Sequence, residues 1–156
     1  MSEGFIVIEG SKEEKYKSVL DQLPAIIGLE RDLVANMANV AAMLKVQFGW
    51  HWAGFYLVKG EDLVLGPFQG PIACTRIPRG KGVCGQAWSS GNTIIVEDVS
   101  LFPGHIACSA LSKSEIVIPV RSGEEIIAVL DLDSDRVSDF DQTDRHFLEA
   151  IVTMIG

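Results

Sequence analysis

The sequence of 156 residues lacks a long hydrophobic run and has few basic residues. No apolar run approaches the ~20 residues that span a bilayer, and the first ten residues lack the charged and apolar segments of a signal peptide. We therefore expect a cytoplasmic protein. Lys and Arg number 13 against 21 Asp and Glu, which gives a net charge of -8. Because nucleic acids and anionic membranes are bound by clustered Lys and Arg, this balance argues against both partners.

Cysteine is also scarce, with single residues at positions 74, 84 and 108. An odd number in a reducing compartment does not indicate a structural disulfide framework. The spacing lacks the close Cys-x-x-Cys pairs of zinc sites, so we expect no metal and no bound cofactor. A free cysteine is usually a small buried hydrophobe, and this interpretation is open for Cys108, which follows a Pro-Gly corner and His105.

What the sequence does contain is a pattern of helices at both ends and short strands between them. At this length we expect one domain. Apolar residues recur at helical spacing over residues 12–20 and 29–48, and the final segment has Asp141 as a helix N-cap. Strands are predicted over residues 50–58, 71–77, 93–96, 115–120 and 125–133, with a further strand near residues 62–66. This order indicates an α+β domain, with an antiparallel sheet covered by helices on one face.

Three acidic residues are predicted to share one face of the last hairpin. The apolar residues that alternate along its two strands must face the helices together, because a one-residue slip would reverse them. Glu115, Asp131 and Asp133 then lie on the opposite face. We expect a three-residue turn over residues 121–123, which sets Glu115 opposite Val129. A solvated sheet edge is the alternative interpretation of these acids.

The strand over residues 50–58 has the same alternation. Trp52, Gly54 and Tyr56 share one face, and the other face is purely apolar. Two large aromatic side chains with polar groups, separated by a glycine gap, are suited to binding a small ligand. An aromatic core cluster is the alternative.

Several segments of the sequence match one known family. They are GVCGQAW (residues 82–88), VEDVSLFPGHIAC (96–108), SKSEIVIPV (112–120) and VLDLDS (129–134). Together they resemble the free methionine-(R)-sulfoxide reductase family, whose members have the GAF fold. The resemblance covers nearly the whole chain, and generic GAF sensors lack the three-cysteine pattern and the PGHIAC stretch.

The resemblance implies a single GAF-like domain over residues 1–156. It has a central antiparallel sheet of about six strands, with the N- and C-terminal helices packed on one face and the ligand site under loops on the other. It also implies that Cys108 is the catalytic cysteine, Cys84 the resolving cysteine, and Cys74 a further cysteine that joins disulfide exchange. The acids Glu115, Asp131 and Asp133 are implied in catalysis as well. The implied substrate-binding residues are Trp52, Tyr56, Glu115, Ile116, Asp131 and Asp133.

The implied activity is the thiol-dependent reduction of free L-methionine-(R)-sulfoxide to methionine. Cys108 attacks the sulfoxide sulfur, one of the acids protonates the oxygen, and the resulting sulfenic acid condenses with Cys84. A thioredoxin-like protein then reduces the disulfide. Three acids disfavour a thiolate, so a helix start at Ser109, His105, or a proton shared among the acids must offset them. We favour the shared proton, because it also supplies the general acid.

Two other functions are compatible with these residues. A GAF domain can hold a small ligand as a sensor without converting it, and the cysteines can act as a thiol redox switch. Sensor modules are usually fused to output domains, for which this chain has no room, and this favours the enzyme. The resemblance also implies a possible homodimer.

Overall fold

The structure is a computed structural model that describes residues 4–106 and 111–156, and these form a six-stranded antiparallel sheet with four α-helices. The helices are α1 (Lys12–Ile27), α2 (Leu33–Phe48), α3 (Gly82–Ser90) and α4 (Gln142–Thr153). The strands are β1 (Trp52–Lys59), β2 (Asp62–Gln69), β3 (Arg76–Pro78), β4 (Ile94–Val96), β5 (Ser114–Ser122) and β6 (Glu125–Ser134). Their order across the sheet is β3-β2-β1-β6-β5-β4. The predicted α+β class and number of strands are confirmed.

The helix ends follow their capping residues. Asp141 accepts hydrogen bonds from the backbone N–H groups of Thr143 and Asp144, which confirms it as the N-cap of α4. Helix α1 begins at Lys12, as predicted, but it continues past residue 20 and through Pro24 to Ile27. Leu23, which the extra turns carry, is fully buried, and this packing outweighs the poor helix propensity of proline. In the part of the chain that is described, no helix is both long and apolar enough to cross a bilayer.

The sheet separates two apolar cores. Helices α1, α2 and α4 pack on one face, over residues such as Phe55, Ile118 and Leu130. The other face carries Trp52 and Tyr56 and is covered by α3. Placement of the terminal helices on one face is therefore as predicted. Helix α3 was not predicted from the weakly periodic, Gly-rich middle of the sequence, and it is this helix that closes the second face.

The register of the β5–β6 hairpin differs from the prediction. Glu115 lies opposite Asp133, not opposite Val129. Ser122 pairs directly with Glu125, so the turn has two residues rather than three, and a bulge shifts the register between Val120 and Arg121. The extra residue at the bulge offsets the shorter turn, so the number of residues that separate paired positions below the bulge is odd, as predicted. For that reason the three acids still share one face, as the alternation predicted.

A buried polar network joins α1 to α4. Asp144 is fully buried and accepts hydrogen bonds from the hydroxyl of Tyr16, from the backbone N–H of Asp141 at 2.8 Å, and from Lys12 Nζ at 2.6 Å. Tyr16 is also fully buried, and its ring stacks on Phe147 with a centroid distance of 5.2 Å. The carboxylate of Asp144 therefore satisfies donors from both ends of the chain.

We expect Asp144→Ala to lower the free energy of unfolding by about 3 kcal/mol, because removing one partner of a buried ion pair leaves the other groups unpaired. Denaturant unfolding measures this loss. The matched control is Asp62→Ala, which removes an ion pair with Arg76 whose side chain is 64% exposed. The control should cost about 1 kcal/mol or less. Equal losses in the two variants would contradict a stabilising role for the network.

Candidate active site

Three central strands bring the predicted site residues together on the face that α3 covers. Asp133 of β6 pairs with Trp52 of β1 on one side and with Glu115 of β5 on the other. Asp131 pairs with Gly54 of β1. These acids, Glu115, Asp131 and Asp133, are called the acid cluster below. The antiparallel register alone therefore places the acid cluster beside the aromatic side chains of β1.

Trp52 and Tyr56 form an aromatic wall next to the acid cluster. Their ring centroids are 5.9 Å apart, and Trp52 also stacks on Phe68, at 5.2 Å. The indole Nε1 of Trp52 donates a hydrogen bond to the carbonyl of Pro71 at 3.0 Å, and the hydroxyl of Tyr56 donates one to the carbonyl of Cys74 at 2.9 Å. The aromatic wall therefore also holds the loop that contains Cys74.

Gly54 makes room for the aromatic wall. A Cβ atom at this position would lie 2.3 Å from the Cβ of Phe68 and 2.6 Å from Cη2 of Trp52, far inside ordinary contact distance. Glycine is therefore required sterically, because the Trp52 ring lies across it. The glycine gap noted in the sequence is filled by the neighbouring aromatic rings.

We expect Gly54→Ala to displace Trp52 and to lower the free energy of unfolding by about 1–3 kcal/mol, as overpacked cores do. Thermal unfolding and the tryptophan fluorescence spectrum measure the two effects. Gly66→Ala on β2 is the matched control, because its Cβ would approach other atoms no closer than 3.1 Å. If the control lost as much stability as Gly54→Ala, the loss would reflect strand propensity rather than the packing of Trp52.

Helix α3 carries Cys84 over the acid cluster. Gly85 lets the helix approach the end of β3, because a Cβ there would lie 2.7 Å from the carbonyl oxygen of Pro78. Cys84 is a free thiol, and it is only 3% exposed. Burial raises the pKa of this thiol well above its usual value, and the negative charge of Asp131 raises it further. A protonated thiol is thus favoured at Cys84.

The acid cluster is buried, with 6%, 6% and 9% of Glu115, Asp131 and Asp133 exposed. Burial raises the pKa of all three carboxyls well above its usual value, and their mutual repulsion raises it further. Among the residues the structure describes, the one ion pair that reaches the cluster joins His105 Nε2 to Glu115 Oε1 at 3.6 Å. Burial lowers the pKa of His105, which favours its neutral form. The cluster therefore has little positive charge to balance it.

One carboxyl oxygen stands out. Asp131 Oδ1 is buried and has no hydrogen-bond partner among the described residues. A buried acceptor without a donor costs about 1–3 kcal/mol, so native proteins rarely keep one without a functional reason. A proton or a cationic ligand bound in the cluster would satisfy it.

The acid cluster, the aromatic wall and Cys84 line one pocket of about 530 Å³, measured with its opening to solvent. Its other lining residues come from three loops, from β3 and from the start of α3: Ile72, Ala73, Ile77, Lys81, Gly82, Val83, His105, Ile106 and Ser112. Apart from His105, the loop residues could not be predicted from the sequence, because they share no periodicity. Helix α3 did leave a signal, since Gly91 ends it in the left-handed conformation and Val83 and Ala87 are spaced by one turn.

The position of Ile116 differs from those of the other predicted binding residues. Ile116 is fully buried in the core under α1, α2 and α4, on the sheet face opposite the pocket. Its side chain does not line the pocket, because it alternates with that of Glu115 along β5. That Ile116 binds substrate stays a prediction, and its side chain does not take part from this position. Cys108, and the helix start predicted at Ser109, lie outside the described residues.

The cysteine pairing also differs from the expectation. Cys84 is a free thiol, whereas Cys74 is disulfide-bonded. The disulfide that the resemblance implied between Cys84 and Cys108 is therefore not formed in this structure. The disulfide-bonded cysteine, Cys74, is the one whose backbone carbonyl accepts the hydrogen bond of Tyr56.

Comparison with known proteins identifies the family of this chain. The GAF domain family matches residues 30–156. A free methionine-R-sulfoxide reductase of Escherichia coli is 43% identical over 146 residues, which are 93% of this chain and 88% of that protein. GAF domain-containing protein A of Dictyostelium discoideum is 53% identical and covers 99% of both chains.

A solved structure extends the likeness to three dimensions. The X-ray structure of free methionine-R-sulfoxide reductase from Neisseria meningitidis, in complex with its substrate, is 49% identical to this chain with a TM-score of 0.95. The match covers 99% of this chain and 93% of that one. The resemblance seen in the sequence motifs is confirmed. The chain therefore belongs to the GAF domain family and, within it, to the oxidoreductases named free methionine-R-sulfoxide reductases.

Proposed function

We propose that this protein reduces free methionine-R-sulfoxide to methionine, with Cys108 as the nucleophile and a thioredoxin-like dithiol protein as the final reductant. The observation that carries the proposal is the acid cluster, which is buried beside Trp52 with no lysine or arginine ion pair among the described residues. The raised pKa of these carboxyls favours their protonated form, and a carboxylate among them attracts a cation. Sulfoxide reduction by a thiol requires the first property, and an amino acid substrate exploits the second.

The pocket offers a partner for each part of a free amino acid. The ammonium group pairs with a carboxylate of the acid cluster, and the methyl sulfoxide end packs against Trp52. Helix α3 begins at the pocket, where Lys81, Gly82 and Val83 line it, and no side chain caps the first turn. Free N–H groups there can hold the substrate carboxylate. A methionine sulfoxide inside a peptide chain lacks both charged groups, so we expect only the free amino acid to be reduced.

The chemical step transfers one oxygen atom and two electrons. Cys108 attacks the sulfoxide sulfur, and a protonated carboxyl of the acid cluster donates its proton to the sulfoxide oxygen. The protonated oxygen then passes to the Cys108 sulfur: the substrate S–O bond and the transient S–S bond break, an S–O bond forms on Cys108, and methionine departs, leaving Cys108 as a sulfenic acid. The substrate is reduced by two electrons and the cysteine sulfur is oxidised by two. The proton shared in the cluster therefore provides the general acid that the sequence analysis favoured.

The sulfenic acid is then resolved by a second cysteine, with formation of a disulfide and release of water. The resemblance implied Cys84 for this role. The disulfide state of Cys74 and the free, buried thiol of Cys84 support Cys74 instead. A raised thiol pKa also disfavours Cys84, because exchange proceeds through the thiolate. A reduced dithiol protein returns the disulfide to two thiols.

The activity is tested by incubating the reduced protein with each epimer of free methionine sulfoxide and with a peptide that contains the oxidised residue. Chromatography measures the methionine formed, and a thiol reagent counts the remaining thiols. We expect methionine from the free R epimer alone, with two thiols lost in one turnover. Binding of the sulfoxide without methionine formation would make the protein a sensor. Thiol loss without substrate would make it a redox switch.

The resolving cysteine is identified by two matched variants. We expect Cys74→Ser to release about one equivalent of methionine and then to stop as a sulfenic acid, because no disulfide forms. Cys84→Ser should keep turning over with a dithiol reductant. A sulfenic acid probe applied after one turnover separates the two. The reverse result, with Cys84→Ser stopping after one equivalent, would restore the pairing that the resemblance implied.

A further inference from the structure

We propose that the same pocket is a binding site for a thiophilic divalent cation, with Zn²⁺ as the best match, held by Cys84, Glu115 and Asp131. The spacing of the cysteines along the sequence did not predict a metal site, because this one uses a single cysteine from α3 and two acids from neighbouring strands. Only the folded sheet brings the three together.

The geometry fits a small cation. One ligand atom from each of the three side chains lies within 4.8 Å of the other two. A point between three such atoms is at most about 2.8 Å from each, compared with Zn–S and Zn–O bonds of about 2.3 and 2.0–2.2 Å. An inward movement of about 0.5 Å for the sulfur and about 0.6–0.8 Å for the oxygens, within the range of side-chain adjustment, would complete the bonds.

The unpartnered oxygen of Asp131 is independent support. Asp131 Oδ1 is buried, has no hydrogen-bond partner among the described residues, and belongs to a carboxyl that lines the pocket. A cation there would satisfy it. One sulfur and two carboxylate oxygens make a set that suits Zn²⁺ better than Mg²⁺ or Ca²⁺.

As pH rises, the negative charge of this site favours the binding of a metal ion over the binding of protons. A thiolate and two carboxylates carry three negative charges in a buried site, and Zn²⁺ offsets two of them. Binding must displace the protons that the thiol and the acid cluster hold, so the affinity should increase with pH. Zn²⁺ also occupies the carboxyls that bind and protonate the sulfoxide, and it therefore inhibits reduction competitively. The inhibition rests on the proposed function, whereas metal binding does not.

The test is a titration of the reduced, untagged protein with Co²⁺, which substitutes for Zn²⁺ and reports its ligands by absorption. We expect one equivalent to bind with a thiolate-to-cobalt charge-transfer band, and Zn²⁺ to displace it. Cys84→Ser should lose the band and weaken binding about 10-fold or more, given that even outer partners of metal ligands contribute that much. Asp131→Asn, which retains the thiol, should weaken binding as well. His146→Gln removes an exposed histidine outside the pocket and should leave the titration unchanged.

Two results would overturn the proposal. One is the lack of a stoichiometric charge-transfer band in the wild-type protein, and the other is a band that persists in Cys84→Ser, since it would place the metal on another cysteine. If Cys84→Ser did not fold, Asp131→Asn would be the deciding variant. Weaker Co²⁺ binding in it would support the proposal, and unchanged binding would contradict it. Adding free methionine-R-sulfoxide distinguishes this from the proposed function. Should Co²⁺ bind but the sulfoxide fail to compete, the metal site stands and the substrate assignment fails.

Discussion

Replacing Cys108 with serine is expected to abolish methionine formation, with turnover lower by a factor on the order of 10³ or more. Without the nucleophile the covalent step does not take place, and the other groups of the active site cannot replace it. A serine hydroxyl is a far weaker nucleophile than a thiol and cannot form a sulfenic acid. Methionine released from the free R epimer, measured by chromatography with a dithiol reductant in excess, is the readout.

A binding measurement separates chemistry from folding in this variant. The acid cluster and the aromatic wall remain in Cys108→Ser, so calorimetry should still detect binding of the sulfoxide. A variant that binds the substrate and does not reduce it assigns Cys108 to the chemical step. Normal turnover by Cys108→Ser would refute the mechanism, and transfer the nucleophile to one of the other two cysteines.

Asp131→Asn is expected to have the second largest effect on activity. The carboxyl either donates the proton to the sulfoxide oxygen or holds the substrate ammonium, and an amide can do neither. Loss of a general acid lowers kcat by about 10²–10⁴. Loss of the ammonium partner raises KM instead, so the split between kcat and KM identifies the role. Glu115→Gln and Asp133→Asn, measured in the same way, assign the other two carboxyls.

The pH dependence follows from the raised pKa of the acid cluster. The general acid must be protonated, so kcat should fall as pH rises through that raised pKa. The Cys108 thiol must lose its proton before it attacks, so activity should also fall at low pH. In Asp131→Asn the alkaline limb of the profile should move if Asp131 shares the catalytic proton. An unchanged limb would place the proton on another group.

The same substitution should stabilise the fold at neutral pH. A carboxyl whose pKa is raised in the folded state binds its proton more tightly there than in the unfolded chain. Stability is therefore higher at low pH, and it is lost as pH rises from the ordinary carboxyl pKa through the raised one. Asp131→Asn removes this loss, and Tm should rise by about 2–4 °C for each kcal/mol regained. A lower Tm at neutral pH would show that the carboxylate is compensated.

Part of this site could be predicted from the sequence, because strand alternation is a strict rule. Apolar residues on β5 and β6 had to face the helices together, and this predicted that Glu115, Asp131 and Asp133 share the other face, which the bulge preserves despite the two-residue turn. The same argument placed Trp52 and Tyr56 on one face of β1.

The rest depends on interactions that alternation does not encode. The turn length and the bulge after Val120 decide that Glu115 lies opposite Asp133, and both arise from local backbone geometry. Helix α3 has nine residues and several glycines, so it left only a weak periodic signal, yet it determines the position of Cys84. The side chain of Ile116 lies in the core on the opposite face of the sheet, as its alternation with Glu115 requires. His105 meets Glu115 only because a loop folds back over the sheet.

Trp52 and Tyr56 each have a single polar hydrogen, and both give it to the backbone of one segment, at Pro71 and at Cys74. The two rings that line the pocket are in this way joined to the segment that carries the disulfide-bonded Cys74. We expect the rings and this backbone segment to change position together, because two hydrogen bonds join them. A ligand that displaced either ring would then also displace the backbone beside Cys74.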